Sequence, residues 1–406
     1  MTTCVNSRRA FDPPPADVRY RASQRIENIM AQQGLIVFDD DAGRFGPLTD
    51  RRAAFDVRSG AWTTLERIER IVGQKADALF VPNRLAALTQ QRHPDSAVNR
   101  LPDGYTSWRC VSGRAATPDA IRDTPCLTHP QGAPLAREDF DAGDAPQLAR
   151  PWDLFAHLDA NLRFDLDAMD LPACDRGTVT GDHRVKAAPD AKLHPMVVLN
   201  AELGPIVIDR GAIVGSFTVL AGPCYIGPHS IVASHAHIRA HTSVGPRCVV
   251  GGEVARSILH GNSSKSHAGY LGHSLVGEWV NLGAGTTVSN LKNTYGHVRV
   301  QLDESVPAQD SGQLKLGPII GDGVRTAIGT RMLTGSCIAT ATMLAVGGFA
   351  PKWTRPFSFI TDGSVQRYDI DRFIDTLRCF MEHRGDTLSD ADEAGWRALA
   401  SRAWAS

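Results

Sequence analysis

The side chains with the clearest capacity for chemistry lie in a glycine- and serine-rich stretch, residues 261–272, which reads Gly-Asn-Ser-Ser-Lys-Ser-His-Ala-Gly-Tyr-Leu-Gly. It holds Lys265, His267 and Tyr270, and Asn281 follows downstream. An imidazole titrates near working pH and can take a proton from an attacking group. The plainer reading is a solvated loop histidine, which a lone His in such a stretch would be. A second cluster is acidic and then basic. Asp39, Asp40 and Asp41 close an apolar run and precede Arg44, Arg52 and Arg58. Guanidinium groups can bind phosphates and carboxylates can hold Mg²⁺, but the same groups can simply pair with one another at the surface. Nucleotidyl transfer asks for a glycine-rich turn that approaches a triphosphate. Residues 39–46, Asp-Asp-Asp-Ala-Gly-Arg-Phe-Gly, are acidic and poor in glycine by that standard.

The elements that must position the first cluster are announced by a repeat. An aliphatic residue recurs every six positions at Ile208, Val214, Leu220, Ile226, Val232, Ile238, Val244 and Val250. Two residues before each stands a mostly small one: Ile206, Ala212, Thr218, Cys224, Ser230, Ala236, Thr242 and Cys248. The register resumes at Val276, Leu282 and Val288, then more weakly at Ile320, Met332, Ile338 and Leu344, with Thr326 breaking the apolar rule. An antiparallel sandwich would show two-residue alternation instead. The six-residue step points to a parallel β-helix of hexapeptide repeats, with the interruptions near 251–270 and 289–317 leaving the coil as loops. His229, His235 and His241 also stand six apart, a spacing suggestive of zinc binding. On a three-sided coil such residues occupy different faces and point away from each other, so no metal is expected.

Upstream, residues 34–40 read as a buried strand. Thr63 and Glu66 have capping-box spacing at the head of a helix with Leu65, Ile68, Ile71 and Val72 on one face. Residues 76–81 give a second strand, so an α/β, nucleotide-binding-like domain is expected. Residues 125–150 are linker-like in their Pro, Gly, Ala and Asp content. Residues 368–384 form an amphipathic helix, through Ile370, Phe373, Ile374, Leu377 and Phe380, expected to pack across the end of the coil. The anticipated order is a disordered tail (1–22), the α/β domain (23–124), a linker and connecting segment (125–195), the β-helix (196–350) and a C-terminal helical extension (351–406). Lys plus Arg (43) nearly cancels Asp plus Glu (44), which argues against a nucleic-acid or anionic-membrane partner. With no signal-peptide-like apolar segment or membrane span, a cytoplasmic protein is expected. The eight cysteines are scattered singly, as small core residues or inert thiols.

Residues 267–286 resemble the acetyltransferase half of the bifunctional N-acetylglucosamine-1-phosphate uridylyltransferase / glucosamine-1-phosphate acetyltransferase family. The frame H-x-x-Y-L-G followed by N-x-G-A-G-T is met by His267, Tyr270 and Asn281 without a gap. The resemblance implies a left-handed coil assembled as a homotrimer, with acetyl-CoA or another acyl-CoA as co-substrate and a sugar phosphate or nucleotide sugar as partner. It implies His267 as general base and Tyr270 and Asn281 on the acceptor sugar, with Lys265 and Arg239 as candidates for the sugar phosphate. It further implies Asn290, Gly283, Gly285 and Thr330 on the cofactor side. The family's Glu-Val-Lys appears here as Glu253-Val254-Ala255, so one phosphate-binding lysine is missing.

A resemblance over nearly the whole chain is to GlmU-like bacterial sugar nucleotidyltransferases with a shortened N-terminal domain. It rests on Asp39-Asp40, Pro47-Leu48-Thr49 with Arg52 and Arg58, Trp152-Asp153, residues 251–254, residues 277–286 and residues 291–296. With it, Arg44, Arg52 and Arg58 become the candidates for binding a nucleotide's phosphates, with Mg²⁺ accompanying a nucleoside triphosphate. The expected function is therefore acyl-CoA-dependent transfer to an amino sugar, with sugar-1-phosphate nucleotidyl transfer as a second activity. The alternatives are a nucleotidyltransferase that uses the β-helix only for trimerisation, and a non-catalytic trimeric scaffold.

Overall fold

The computed structural model describes residues 33–103, 105, 107–123, 126–127 and 145–405. The tail expected at 1–22 and most of the linker-like stretch at 125–150 lie outside the described residues. The N-terminal layer is one sheet in the order β3-β2-β1-β4-β5, from β1 (Gln33–Phe38), β2 (Ala78–Phe80), β3 (Ala97–Val98), β4 (Ser107–Ser112) and β5 (Cys126–Leu127). The first four strands run parallel and β5 antiparallel. As the central parallel strand, β1 is covered on both sides and reads as a continuous apolar run, Leu35 to Phe38. The expected capping box opens α1 (Thr64–Val72): Thr63 Oγ1 accepts from the Glu66 amide at 3.2 Å, and Glu66 Oε2 accepts from the Thr63 amide at 2.7 Å. Two further helices, α2 (Ala86–Arg92) and α3 (Pro118–Arg122), complete the layer. Strand order reverses between β1 and β4, the place where open α/β sheets bind ligands beyond their strand ends.

After α4 (Asp153–Ala168) the chain enters a left-handed parallel β-helix with three faces. The first face begins at Thr178–Thr180 and includes Glu253–Ala255 and Tyr270–Gly272. The second runs from Val185–Ala187 to Cys337–Ile338. The third starts at Lys192–Leu193, includes Ser264–Lys265, and resumes at Arg325–Thr326 and Met343–Ala345. The six-spaced aliphatic series fills the interior at 0–1% exposure. The coil starts before residue 196 because Ala187, Leu193 and Leu199 already carry the step; extra residues at the 201–205 corner hide it. It also continues past residue 350 to Ser358–Thr361, where Ile360 stacks on Leu344.

The expected loop at 251–270 is not one. Strands Glu253–Ala255, Ile258–Gly261 and Ser264–Lys265 keep the coil intact, with Val254, Leu259, Lys265 and Leu271 pointing inward. The corners are shorter there, so the six-residue step fails while the winding persists. Residues 289–317 do leave the coil, as an excursion carrying the antiparallel pair Arg299–Val300 and Gln309–Asp310. His229, His235 and His241 sit at three different corners in left-handed conformation, φ 57°, 61° and 62°.

The second face is apolar outside as well as inside. Its outward Val207, Tyr225, Ile258, Leu275 and Ile319 join Phe45, Leu48 and Val57 of the N-terminal layer and Leu154, Phe155 and Leu158 of α4 in one core. Helices α5 (Ile370–Glu382) and α6 (Asp390–Ala403) do not cross the end of the coil as expected. Phe373, Leu377 and Trp396 pack on its flank against Trp279, Ala341 and Phe357, at the corner between the second and third faces. Among the described residues no helix is long and apolar enough to cross a membrane.

Candidate functional site

A β-helix stacks equivalent corners about 4.8 Å apart, so residues distant in sequence line up in columns. At the corner between the first and second faces, successive turns present Arg239 and His241, then Arg256, then His273, and Tyr270 opens the strand that leads to His273. The excursion at 289–317 is rooted beside this column and adds Asn290 and Lys315. Together they line a cleft of about 300 Å³.

Asn290 organises the cleft. Its Nδ2 donates to Tyr270 Oη at 2.9 Å and to His273 Nδ1 at 2.8 Å. With Nδ1 accepting, the neutral imidazole carries its hydrogen on Nε2. Burial, followed by the nearby Arg256 and Lys315 charges, pushes His273 down to about 4. Burial, with Glu253 adding to it, raises the Tyr270 phenol, so it keeps its proton. Arg239 pairs with Glu253 at 3.0 Å and Arg256 donates to the Phe155 carbonyl at 3.0 Å. His241 is held at 2.9 Å by Asp159, while burial and Arg256 lower its pKa. The wall therefore offers O–H, N–H, guanidinium and ammonium donors, an arrangement suited to an acceptor-rich, anionic group.

His267 stands at a different edge, the corner between the third and first faces, and its side chain is exposed without a hydrogen-bond partner among the described residues. Asn281 lies on the third face, bridged between Ser264 and Arg325. Within one chain the structure thus brings Tyr270, Arg239 and Asn290 together and leaves His267 and Asn281 apart from them. The His267 corner is a column of left-handed glycines, Gly252, Gly269, Gly285 and Gly329. Along the same corner Phe217 is exposed and stacks on His235, ring centroids 5.0 Å apart, and Met196 and Ile328 are also exposed.

Several expected ligands are occupied by the fold itself. Lys265 takes an interior position beside Val250 and donates to the carbonyls of Gly251 (2.9 Å) and His267 (2.6 Å); burial pushes its ammonium down to about 8. It is not placed to hold a sugar phosphate. Thr330 is fully buried and its hydroxyl donates to the Ala327 carbonyl at 2.9 Å, so it does not face a cofactor. At Gly283 a Cβ would come within 2.6 Å of the Ala327 backbone, so glycine there answers to coil stacking.

The N-terminal arginines are likewise consumed. Arg52, expected at a nucleotide, instead directs one nitrogen at both carboxylate oxygens of Asp322 (2.6 and 2.7 Å) and lies 3.3 Å from Glu278, which also pairs with Arg92 at 2.9 Å. Burial would raise Glu278, but Arg52 and Arg92 outweigh it and hold the carboxyl well below the usual range. Arg58 donates to the carbonyls of Ala61 and His260, fixing the layer to the coil. At the β1/β4 crevice Arg114 makes a two-pronged pair with Asp40 (2.8 and 2.6 Å), Arg84 another with Asp41, and Asp39 accepts the Ala54 amide at 2.7 Å. Of the three arginines expected at a nucleotide, Arg44, Arg52 and Arg58, only Arg44 keeps an exposed side chain. Sequence reasoning also missed the buried Arg67–Asp165 pair, 2.7 Å, which ties α1 to α4, and the cleft residues Arg256, His273 and Lys315. The signal for His273 was available: it occupies the next corner after Tyr270, as Arg256 does one turn earlier.

No protein-family profile matches the chain. It is 30% identical over 144 residues to the bifunctional protein GlmU of Gloeobacter violaceus, covering 34% of this chain and 30% of that protein. It is 34% identical over 134 residues to the bifunctional sugar-1-phosphate nucleotidylyltransferase/acetyltransferase of Sulfurisphaera tokodaii, covering 32% and 33%. With the GlmU of a Cyanothece species the match is 26% over 215 residues, 49% and 47% of the two chains. The chain resembles GlmU proteins over part of its length. It spans about a third to a half of the length of these curated relatives. Among solved structures, a hexapeptide transferase family protein from Anaplasma phagocytophilum is 12% identical, with a TM-score of 0.19 and coverage of 56% of this chain and 95% of that one. The acetyltransferase domain of PglB from Neisseria gonorrhoeae, in complex with acetyl coenzyme A, is 10% identical, with a TM-score of 0.16 and coverage of 83% and 98%.

Proposed function

We propose that the protein is an acyl-CoA-dependent transferase that acylates an amino sugar or its phosphate on the β-helix, as a homotrimer. The observation that carries this reading is the donor-lined cleft, where Tyr270, Asn290 and His273 are already bonded to one another beside Arg239, Arg256 and Lys315. The cationic side chains would hold an acceptor's phosphate, and the Tyr270 hydroxyl and His273 Nε2–H would orient its ring. The amine nitrogen attacks the thioester carbonyl, a C–N bond forms as the C–S bond breaks, and His267 removes the ammonium proton and passes it to the departing CoA sulfur. Backbone amides at the glycine-lined corner would stabilise the oxyanion.

His267 lies across the first face from the cleft, so the reading requires a neighbouring copy to bring the two edges together. The exposed Met196, Phe217 and Ile328 along the His267 corner supply an apolar seam for that copy. The N-terminal layer is read as structural, since its crevice is spanned by the Asp40–Arg114 pair.

The test is release of CoA thiol from acetyl-CoA with glucosamine, glucosamine 1-phosphate and amino-sugar nucleotides as acceptors. His267→Ala is expected to lower kcat by about 10²–10⁴-fold with the oligomer intact. Unchanged turnover in that variant would refute the assignment.

A further inference from the structure

A second concavity, about 440 Å³, opens where three parts of the chain converge: the turn after β1, the 289–317 excursion and the segment that follows the last full turn of the coil. Its size is that of a small-molecule site, and junctions between domains are where such sites concentrate. Arg44 and Asp50 come from the turn, Leu302, Val306 and Gln309 from the excursion, and Trp353 from the closing segment.

The polar groups here are only half used. Asp50 Oδ2 accepts the Thr340 hydroxyl at 2.5 Å, and Oδ1 has no partner among the described residues. Gln309 Oε1 accepts from Arg150 at 3.2 Å, and its amide nitrogen makes no hydrogen bond among them. The Trp353 indole N–H and the Arg44 guanidinium are likewise without a hydrogen bond there. Burial pushes the Asp50 carboxyl up to about 6, as expected of a group withdrawn from water but not from a ligand.

The charge balance is wrong for a polyphosphate. Within the pocket Asp50 and Asp303 face one guanidinium, and in the adjoining concavity, which shares Asp303, Glu304 is paired with Arg355 and Arg402 is the one further cation, so carboxylates and guanidiniums balance with no positive excess. The pattern does suit vicinal hydroxyls. Each sugar hydroxyl both donates and accepts, so it can bridge a carboxylate oxygen and an amide, indole or guanidinium N–H. The partly positive C–H bonds on one side of a pyranose pack on the negative face of an indole, with Leu302 and Val306 covering the rest.

We propose that this junction pocket binds a neutral sugar ring, seated on Trp353 and hydrogen-bonded by Asp50, Gln309 and Arg44. The site is separate from the cleft and its occupancy requires no acyl transfer. It gives the N-terminal layer a ligand at its junction with the coil in place of one at the closed strand-end crevice.

The experiment is saturation-transfer NMR and calorimetric titration of the full chain with N-acetylglucosamine, glucose and mannose, and separately with UTP plus Mg²⁺. At least one neutral sugar should bind with a Kd of about 10 mM or tighter. Trp353→Ala and Asp50→Asn should weaken that binding about tenfold or more. Val306→Trp, which fills the pocket from a half-exposed loop position and spares the core, should abolish it, while Tyr270→Ala in the cleft should leave it unchanged. Thermal melting of each variant separates lost binding from lost folding. Absence of binding by all three sugars, binding that survives Val306→Trp, or binding lost in Tyr270→Ala would overturn the proposal. So would UTP binding that Arg44→Ala abolishes.

Discussion

The N-terminal crevice and the cleft on the coil are built from the same kinds of residue and end in opposite conditions. In the crevice each carboxylate already has a partner, Asp40 with Arg114, Asp41 with Arg84 and Asp39 with a backbone amide. In the cleft the bonds among Tyr270, Asn290 and His273 leave their outward donors unused among the described residues, where Arg239 is held only by an exposed pair with Glu253. An arginine beside a phosphate-binding turn is thus no indication of phosphate binding until its partners are known. Where the fold supplies the counter-charge the residue is structural, and where the fold leaves the group unmatched a ligand can supply the match.

That contrast can be broken by substitution. Substitutions at the buried pairs should cost stability, and substitutions in the cleft should cost turnover. The largest effect is expected for Asp322→Ala, which removes both hydrogen bonds to the buried Arg52 and leaves it only the longer contact with Glu278, 3.3 Å, among the described residues. A loss of about 3–5 kcal/mol in urea unfolding is predicted, and a loss under about 1 kcal/mol would mean that the pair does not weld the two parts.

The next effect is on pH dependence. Burial, then the Arg52 charge, pushes His260 down to about 3, against about 6.5 in an unfolded chain. As pH falls from 6.5 towards 3 the unfolded state takes up a proton that the folded state refuses, so stability falls with acidification by at most about 1.4 kcal/mol per pH unit from this site. His260→Gln should flatten the melting temperature over that window, and an unchanged slope would reject the assignment.

Asn290→Ala should be milder for the fold and harsher for the reaction. It unties Tyr270 and His273 together, with a stability loss near 1 kcal/mol and about a tenfold drop in kcat/KM for an amino-sugar acceptor. Equal losses for a phosphorylated acceptor and its phosphate-free counterpart are expected there, but not for the last variant. Arg239→Gln, at an exposed pair, should change stability by less than about 0.5 kcal/mol and raise KM only for the phosphorylated acceptor.

The legible part of the fold was its interior. Ile208 to Val250 could be read directly, because the hexad fixes which side chains enter the coil, and the Thr63–Glu66 box marked α1 by local hydrogen bonding alone. The 251–270 turn was misread because shortened corners destroy the spacing without disturbing the winding, and because Lys265 takes an aliphatic residue's place with its ammonium satisfied by two carbonyls. Of the site, Tyr270, Arg239 and Asn290 were named by the family resemblance, but their grouping with Arg256, His273 and Lys315 depends on which corners stack and where the excursion is rooted. The fate of Arg52 was illegible for a related reason. Its partner Asp322 lies on the far side of the coil's sequence, and only the packing of the layer on the second face brings them together.

Chemistry on the coil, and not in the N-terminal layer, can be checked by isothermal titration of the purified protein with acetyl-CoA and, separately, with UTP plus Mg²⁺. Acetyl-CoA should bind in the micromolar to low-millimolar range and UTP should give no heat; binding of UTP with silence towards acetyl-CoA would move the chemistry to the N-terminal layer.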